Sequence, residues 1–527
     1  MRRFYVKCNL IIIALTAFTI YLWPPFVWSL TILVPLFLVG LRDFTQERRA
    51  VLRNFPIIGH FRYFFEMIRP EIHQYFVESD KDGVPFNRER RSLVYQRSKR
   101  QVDTVPFGTK LDFYTEGYEW VNHSMAPREV ALSSLRMRIG GKDCQKPYSC
   151  SLLNISAMSY GSLSKNAVMA LNKGAREGDF AHNTGEGGIS SYHLHGGDLI
   201  WQIGTGYFGC RDSRGDFDAE AFEKQASLDQ IKMIELKISQ GAKPGHGGIL
   251  PASKLTKEIA AIRGVKMGED VLSPSAHKTF SCPKTLLEFI AKLRRLSGGK
   301  PIGIKLCVGK RREFISLCKA MHELSLAPDY IAIDGGEGGT GAAPLEFCNH
   351  IGSPLKESLI FAHNALIGFN LRSQVKIIAS GKVTSAFEVI SYLAIGADIC
   401  YAARAFMLSL GCIQALKCNT NECPVGVATQ DRELVGGLTV KPKTKRVHQF
   451  HEETLASVAE MIGAMGLDAH EKLRPWHLMR RIDSHTIRHY GELYDYIEPG
   501  SLLLEDLPAG WQRAVLAASS GSFTSSL

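Results

Sequence analysis

No GxSxG elbow, HExxH helix or Walker loop occurs in this chain. Serine hydrolase, zinc peptidase and P-loop nucleotidase chemistry therefore have no foothold in it. Regularly spaced cysteines are missing too: outside one cluster the twelve cysteines stand alone (Cys8, Cys144, Cys150, Cys210, Cys282, Cys307, Cys318, Cys348 and Cys400). That pattern excludes a secreted disulfide scaffold and points to a reducing compartment, with most of these thiols serving as small core hydrophobes. The formal charge is +11, yet no RNP-like, zinc-finger or basic-zipper pattern accompanies it, so nucleic acid is not an expected partner. Acidic partners or anionic lipid headgroups are expected instead.

Charge is wholly absent from residues 9 to 40, NLIIIALTAFTIYLWPPFVWSLTILVPLFLVG. About 20 apolar residues span a bilayer once. The run is therefore long for one helix and short for two full ones, and Pro24 and Pro25 divide it. Arg2, Arg3 and Lys7 precede it, and Arg42, Arg48, Arg49 and Arg53 follow. Basic residues on both sides favour a tight helical hairpin with both ends cytoplasmic and Trp23 and Trp28 at the interface; a single tilted span is the alternative. No small-residue cleavage site follows the run, which argues against a removable signal peptide. The expected location is the inner or plasma membrane, with the lipid bilayer as a partner and the remaining chain cytoplasmic. Residues 42 to 104, rich in arginine and aromatics with apolar residues at helical intervals, read as a helical linker region. Some of its arginines can sit against lipid phosphates.

From about residue 150, short apolar strands each end in a glycine-rich polar loop, with helical segments between them. They are LLNISAMSYGS (152–162), DFAHNTGEGG (179–188), GTGYFGC (204–210), KMIELKISQGAKPGHGG (232–248), PIGIKLCVG (301–309), DYIAIDGGEGGTG (329–341), VKIIASGKVTS (375–385) and ADICYAARAFM (397–407). Eight such units predict an α/β fold, a (β/α)8 TIM barrel, with its site at the C-terminal strand ends. An open doubly wound sheet would carry a phosphate fingerprint after its first strand. MSYGSLS is not one. Residues 446 to 482 read as a helical appendage, and the final ASSGSFTSSL, small and polar, is expected to fray.

Glycine is densest in HNTGEGG, QGAKPGHGG, DGGEGGTG and ASGKVTS, where backbone amides can approach a bulky anionic ligand. Barrel phosphates commonly lodge in the loops after strands seven and eight. Here those loops offer Ser380, Gly381 and Lys382, then Ala403 and Arg404. Lys237, Gln240 and Lys243 lie at or just beyond strand four, and Lys305 on strand five, in company with Glu186 and Asp334. A lysine inside a barrel strand carries a desolvation cost unless it meets an anion, so Lys237 and Lys305 are functional candidates. Strand alternation puts Glu235 on the same side as Lys237, and a structural ion pair between them is the competing reading. His182 and His246 flank the same pockets, as proton donors or as structural histidines.

Cys412, Cys418 and Cys423, followed by Pro424, form the one close cysteine cluster, GCIQALKCNTNECPVGV. Their spacing suits thiolates wrapped round a compact inorganic cluster. A structural zinc site nearly always takes four protein ligands, and His448 is the residue left to complete one.

Taken together, SAMSYGSLSKNA, NTGEGG, KISQGAKPGHGG, IDGGEGGTGAAPLE, ASGKVTS and GCIQALKCNTNECPVGVATQD resemble the flavin-binding synthase domain of glutamate synthase, over roughly residues 105 to 485. The resemblance implies a (β/α)8 barrel holding FMN, with Cys412, Cys418 and Cys423 ligating a [3Fe-4S] cluster. It implies reductive amination of 2-oxoglutarate with ammonia to L-glutamate, by hydride transfer from FMN to 2-iminoglutarate. Met158, Ser159 and Gly161 would then lie along the flavin, Asn183, Glu186 and Gly187 would line the second loop, and Gln240 and Lys305 would stand near the isoalloxazine. Lys237 and Lys243 would hold the dicarboxylate, leaving Lys237, Gln240, Lys243 and Glu186 as the catalytic set. Gly339, Thr340 and Gly341 would shape the rim, and Ser380, Gly381, Lys382, Ala403 and Arg404 would surround the FMN phosphate.

The sequence departs from that family in showing no glutamine amidotransferase domain, no long C-terminal β-helical region and no pyridine-nucleotide domain. His246 stands in PGHGG where the family usually has Glu. Ammonia is then expected free or from a separate amidotransferase, and electrons from a ferredoxin-like or membrane-linked donor protein. The expected layout is a transmembrane anchor over 1–41, the helical linker over 42–104, the synthase barrel with its iron–sulfur loop over 105–445, and an appendage and tail over 446–527. The same cofactors acting on another small substrate or a membrane electron carrier, and a non-enzymatic membrane-tethered scaffold, are the competing expectations.

Overall fold

The structure is a computed structural model that describes residues 2–101 and 104–524. It divides into two compact units, Met1–Glu89 and Arg90–Leu527.

In the first unit, helices Arg2–Leu22 and Leu30–Thr45 flank a 3-10 turn, Pro24–Ser29. Pro24 and Pro25 supply no backbone N–H and push Trp23 out of helical geometry, so the first helix stops there. Gly40 lets the two helices approach, since a side chain at that position would start 1.9 Å from the Tyr5 hydroxyl. Phe4–Leu22 and Pro24–Thr45, the second taking in the 3-10 turn, are each long and apolar enough to cross a membrane. Their leucines, isoleucines and phenylalanines are largely exposed.

The second unit is built on eight parallel strands: β1 (Leu153–Ile155), β2 (His182–Asn183), β3 (Leu199–Ile203), β4 (Ile231–Lys237), β5 (Ile302–Leu306), β6 (Tyr330–Asp334), β7 (Lys376–Ser380) and β8 (Ile399–Ala402). They close into a barrel as β8 pairs with β1, Cys400 opposite Leu153. Parallel strands covered on both faces need apolar side chains throughout. Accordingly every residue of LIWQI in β3, YIAID in β6 and ICYA in β8 is buried. Lys237, Asp334 and Ser380 end their strands, and this placement aims them at the C-terminal mouth.

Three expectations need correction. The third strand is Leu199–Ile203, whereas GTGYFGC is the loop that follows it. Buried Tyr207 and Phe208 gave that loop the hydrophobicity of a strand, but Tyr207 adopts a left-handed φ of 49° and the segment turns. The appendage is α-helical over Val440–Ala464, followed by two short 3-10 turns, His470–Lys472 and Pro475–His477; Leu478–Arg481 is a strand between Glu119–Val121 and Ile487–His489. Its partner on one side lies far away in sequence, out of reach of local periodicity. The tail does not fray as far as it is described. Lys319 donates to the carbonyls of Val515 (2.7 Å) and Ala518 (2.9 Å), and Arg312 to that of Phe523 (2.8 Å). Residues 525–527 lie outside the described residues.

Candidate active site

At the end of β4, Lys237 donates to Glu186 Oε1 at 2.6 Å, from the loop after β2. Its partner is thus Glu186, while Glu235 two residues earlier is engaged elsewhere, accepting from Asn183 (2.9 Å) and Gln202 (2.7 Å) across the barrel interior. Burial pushes the Glu186 carboxyl up, but Lys237, Arg263 and Lys243 together hold it below its ordinary value. Lys243 is buried, donates to the Ala342 carbonyl at 2.9 Å, and is pushed down to about 8 by burial and by Lys237. Three cations thus surround one carboxylate, a surplus that suits an acidic ligand with two carboxylates. Gln240 is half-buried in the same loop, where its carbonyl accepts from the Lys243 backbone at 3.3 Å.

Asp334 ties the mouth together. Its Oδ1 accepts from Ser380 Oγ at 2.6 Å and lies 3.5 Å from Lys305 Nζ, while Oδ2 accepts from the Gly241 amide at 2.8 Å. Gly241 has to be glycine, because a Cβ there would meet the Gly335 carbonyl oxygen at 1.7 Å. One carboxylate therefore sets the loop after β4, the Lys305 ammonium and the end of β7. Asn183 has both ends of its amide committed, to Glu235 and to the Gly185 N–H at 3.0 Å. It braces the second loop.

The loops after β7 and β8 bring cations together. Lys382 adopts a left-handed φ of 45°, and its ammonium is lowered first by burial, then by Arg404 and Arg90. Arg404, lowered by desolvation, donates to the Glu337 carbonyl at 2.8 Å. Arg90 pairs with Glu388 at 2.6 Å, and Lys382 and Arg404 are the kind of cations that would hold the phosphate of FMN. A capping box sets the loop: Ser385 Oγ accepts from the Glu388 amide, and Glu388 accepts from the amides of Thr384 and Ser385. Gly381 and Ser380 lead into it; Ala403 precedes the helix Arg404–Ser409.

In the loop after β1, Met158 and Ser159 are buried at the mouth, and Gly161 takes a φ of 103°. Arg263, at the last turn of helix Lys257–Arg263, reaches the Tyr160 carbonyl (3.3 Å) and Ser159 Oγ (3.5 Å) while facing Glu186. His277 Nε2 lies 2.8 Å from the Lys237 carbonyl and Nδ1 3.1 Å from the Tyr207 hydroxyl. Burial pushes its ring down to about 4, so by this network Nε2–H donates to the carbonyl and Nδ1 accepts. Sequence reading missed Arg263 and His277, which carry no local mark of function. His182 is fully buried next to His193, away from solvent, and burial pushes it well down. His246 is half-buried and packs edge-on to Phe347, ring centroids 5.5 Å apart.

Cys412, Cys418 and Cys423 lie in a contorted loop in which Gln414, Leu416 and Asn421 all adopt left-handed φ values, between 55° and 66°. Such strain persists where function or surroundings demand it. Cys412 is pushed up to about 11 by burial and by Cys418 and Cys423, and Cys418 is raised by burial and by Cys423. The Gln414 N–H points at Cys412 Sγ at 3.4 Å, the kind of contact that stabilises thiolate sulfur. Lys254, buried, donates to the Cys418 carbonyl at 2.9 Å and to the Ser162 carbonyl at 3.0 Å. It joins the cysteine loop to the loop after β1, and sequence reading did not single it out. Among the described residues no three His, Cys, Asp or Glu side chains already converge as a metal-ligand set. The donor chemistry fits an iron–sulfur cluster with three thiolates; His448 is not a fourth ligand. It pairs with Glu452 at 3.5 Å and packs near Gly178, which leads into β2 at the opposite end of the barrel. Gly339 and Gly341 pass between the two sites: a Cβ would meet the Arg404 guanidinium at 2.8 Å from the first and Cys418 Cβ at 3.2 Å from the second.

The conserved region in glutamate synthase matches residues 114–468, which takes in all eight barrel strands and the cysteine loop. The chain is 37% identical over 522 residues to the glutamate synthase large subunit-like protein YerD of Bacillus subtilis (strain 168), covering 90% of this chain and 97% of that protein. It is 34% identical over 322 residues to the archaeal glutamate synthase (NADPH) of Methanocaldococcus jannaschii, covering 61% of this chain and 60% of that one. With the ferredoxin-dependent glutamate synthase of Cyanidium caldarium the identity is 33% over 304 residues, or 53% of this chain and 18% of that one. A match running through the whole barrel, together with likeness along nine tenths of the chain, makes this protein a glutamate synthase-like oxidoreductase and a member of the glutamate synthase family.

Proposed function

We propose that the protein reductively aminates 2-oxoglutarate to L-glutamate, with FMN at the barrel mouth and a [3Fe-4S] cluster on Cys412, Cys418 and Cys423. The observation that carries this reading is the convergence of Lys237, Lys243 and Arg263 on Glu186, a surplus of buried positive charge matched to a dicarboxylic acid. FMN, when bound, supplies the two-electron reduction of 2-iminoglutarate, and an iron–sulfur cluster supplies single electrons.

The chain's own residues bind and orient. Lys237 exchanges Glu186 for a substrate carboxylate, and Lys243 neutralises the other. Glu186, released, accepts a hydrogen bond from the amino nitrogen that replaces the keto oxygen. Lys305, restrained by Asp334, is the cation available to negative charge on the flavin ring, and Gln240 is the neutral donor beside it. Met158, Ser159 and Gly161 wall the ring, and Ser380, Gly381, Lys382, Ala403 and Arg404 hold the phosphate. Gly339 and Gly341 form the rim. Ammonia comes free or from a separate amidotransferase. One relative is designated for NADPH and another for ferredoxin; a ferredoxin-like or membrane-linked donor supplies this chain, the membrane-linked one being compatible with its two apolar helices.

The test is anaerobic. Reduced protein mixed with 2-oxoglutarate and ammonium should reoxidise its flavin and yield glutamate only when both are present. Flavin that stays reduced at every ammonium concentration rejects the reading. A second reading keeps the cofactors and changes the substrate, favoured by His246 against Phe347 where the family usually has Glu. Screening keto acids and quinones for flavin turnover separates the two.

A further inference from the structure

The N-terminal unit holds a second apolar surface, separate from its hairpin. Helix Gly59–Ile72 continues through a wide turn, His73–Val77. Phe61, Phe64, Phe65, Ile68 and Ile72 recur at i, i+3, i+4, i+7 and i+11 and share one face. A helix of a globular protein turns such a face inward. Here Phe61 is 61% exposed, Phe64 49%, Phe65 57% and Phe76 85%.

Charge is arranged around that face. Arg62 and Arg69, seven residues apart, stand along one rim, Glu66, paired with Arg62 at 2.9 Å, lies just beyond that rim on the polar side, and Glu71, seven residues after Phe64, borders the other edge. A shallow groove of about 450 Å³ runs along the rim past Arg62, Phe65, Glu66, Arg69 and Ile72. Arg49 lies over the Tyr63 ring, 4.7 Å from its centroid, bringing a further cation to the helix. Residues 46 to 77 carry five arginines against three glutamates.

The helix is also fixed at one level relative to the hairpin. Asp43, in the last turn of Leu30–Thr45, is 3% exposed. Its carboxylate accepts from the Ile57 amide at 3.0 Å and meets His60 Nε2 at 2.8 Å and 3.0 Å. The first turn of the aromatic helix is thereby clamped to the end of the second apolar segment, where a spanning helix would leave the bilayer.

We infer that Gly59–Ile72 with its following turn lies in the membrane surface, its phenylalanine face among the upper acyl chains and its arginines among anionic headgroups. This rests on the reading of the two apolar helices as membrane spans. In-plane amphipathic helices with an aromatic face and basic rims bury that face about 5–10 Å into the headgroup boundary. Arginine–phosphate pairing complements the excess of positive charge. Continuity with the spans favours lipid over a protein partner, since the face emerges at the level where the spans end.

The test uses the full chain in vesicles of phosphatidylcholine with a minority of phosphatidylglycerol. A photoreactive phenylalanine analogue is placed singly at Phe18, Phe64, Phe76 or Glu66, and lipid adducts are counted by mass spectrometry after irradiation. Adducts are expected at positions 18, 64 and 76, and about tenfold fewer at 66, on the polar side beyond the arginine rim. Lipid adducts at position 18 with none at 64 and 76, or with protein adducts there in native membranes, overturn the inference while leaving the spans intact. Absence of lipid adducts at position 18 as well removes the membrane reading and the inference together.

Discussion

At the barrel mouth, Lys237, Lys243, Lys254, Lys305 and Arg263 are buried, whereas in the N-terminal hairpin Leu10, Ile11, Phe18, Leu22 and Ile32 are exposed. Each region reverses the usual assignment of polar side chains to water and apolar ones to the core. The two reversals differ in how the chain itself compensates. The mouth does so in part, with Glu186 and Asp334 taking up two ammonium groups. The hairpin scarcely does so, since its two helices bury little of each other. Incomplete compensation at the mouth leaves room for a small anion, and near-absence of compensation in the hairpin is compatible with an extended apolar solvent.

The contrast breaks most sharply in the hairpin. Ile13→Asp puts a charge mid-helix and should disfavour insertion by about 2.5–3.5 kcal/mol, moving protein from the membrane to the soluble fraction. Leu504 of the barrel unit, also exposed, is the control. Leu504→Asp should change stability by less than about 0.5 kcal/mol, and equal behaviour of the two variants would erase the distinction between the regions. At the mouth, Lys237→Met takes from half-buried Glu186 its nearest cation while Arg263 and Lys243 remain, which should cost about 1–3 kcal/mol of stability, read as a lowered denaturant midpoint. Adding Glu186→Leu should restore most of it; failure to restore would mean the pair does not compensate burial.

Arg404→Leu removes one charged phosphate contact, worth about 1.5–3 kcal/mol, and should weaken FMN retention roughly 10–100-fold, measured by equilibrium dialysis. The smallest effect is one of pH. Lys243 is held at about 8 against an ordinary 10.5. Below pH 8 both folded and unfolded chains carry that proton, and the penalty for burying it is full. Between about 8 and 10.5 only the unfolded chain keeps it, so this contribution raises stability as pH rises, up to the ordinary value. Substrate binding has the opposite slope: the KM for 2-oxoglutarate should climb above pH 8 as the ammonium is lost, and Lys243→Met should flatten that climb.

Much of the barrel is legible in the sequence because strand, glycine-rich loop and charged residue recur as local strings. The site is less so, because its contacts are long-range. Lys237 is visible, but its partner Glu186 is 51 residues away, and alternation drew attention to Glu235 instead. Asp334 is visible as an acid at a strand end, yet its tying of Gly241, Lys305 and Ser380 exists only after closure. Arg263 and Lys254 look like ordinary helix-end and loop bases until folding buries them. The third strand went astray for the converse reason, since Tyr207 and Phe208 are core side chains carried by a turn.

The ammonium of Lys254 has a consequence for assembly. Bonded at once to the Ser162 carbonyl in the loop after β1 and the Cys418 carbonyl in the cysteine loop, it makes the two loops share one fastening. Ordering either loop prepares the other, and loosening either releases both. Iron and flavin contents should accordingly rise and fall together between preparations, with few molecules carrying one and not the other.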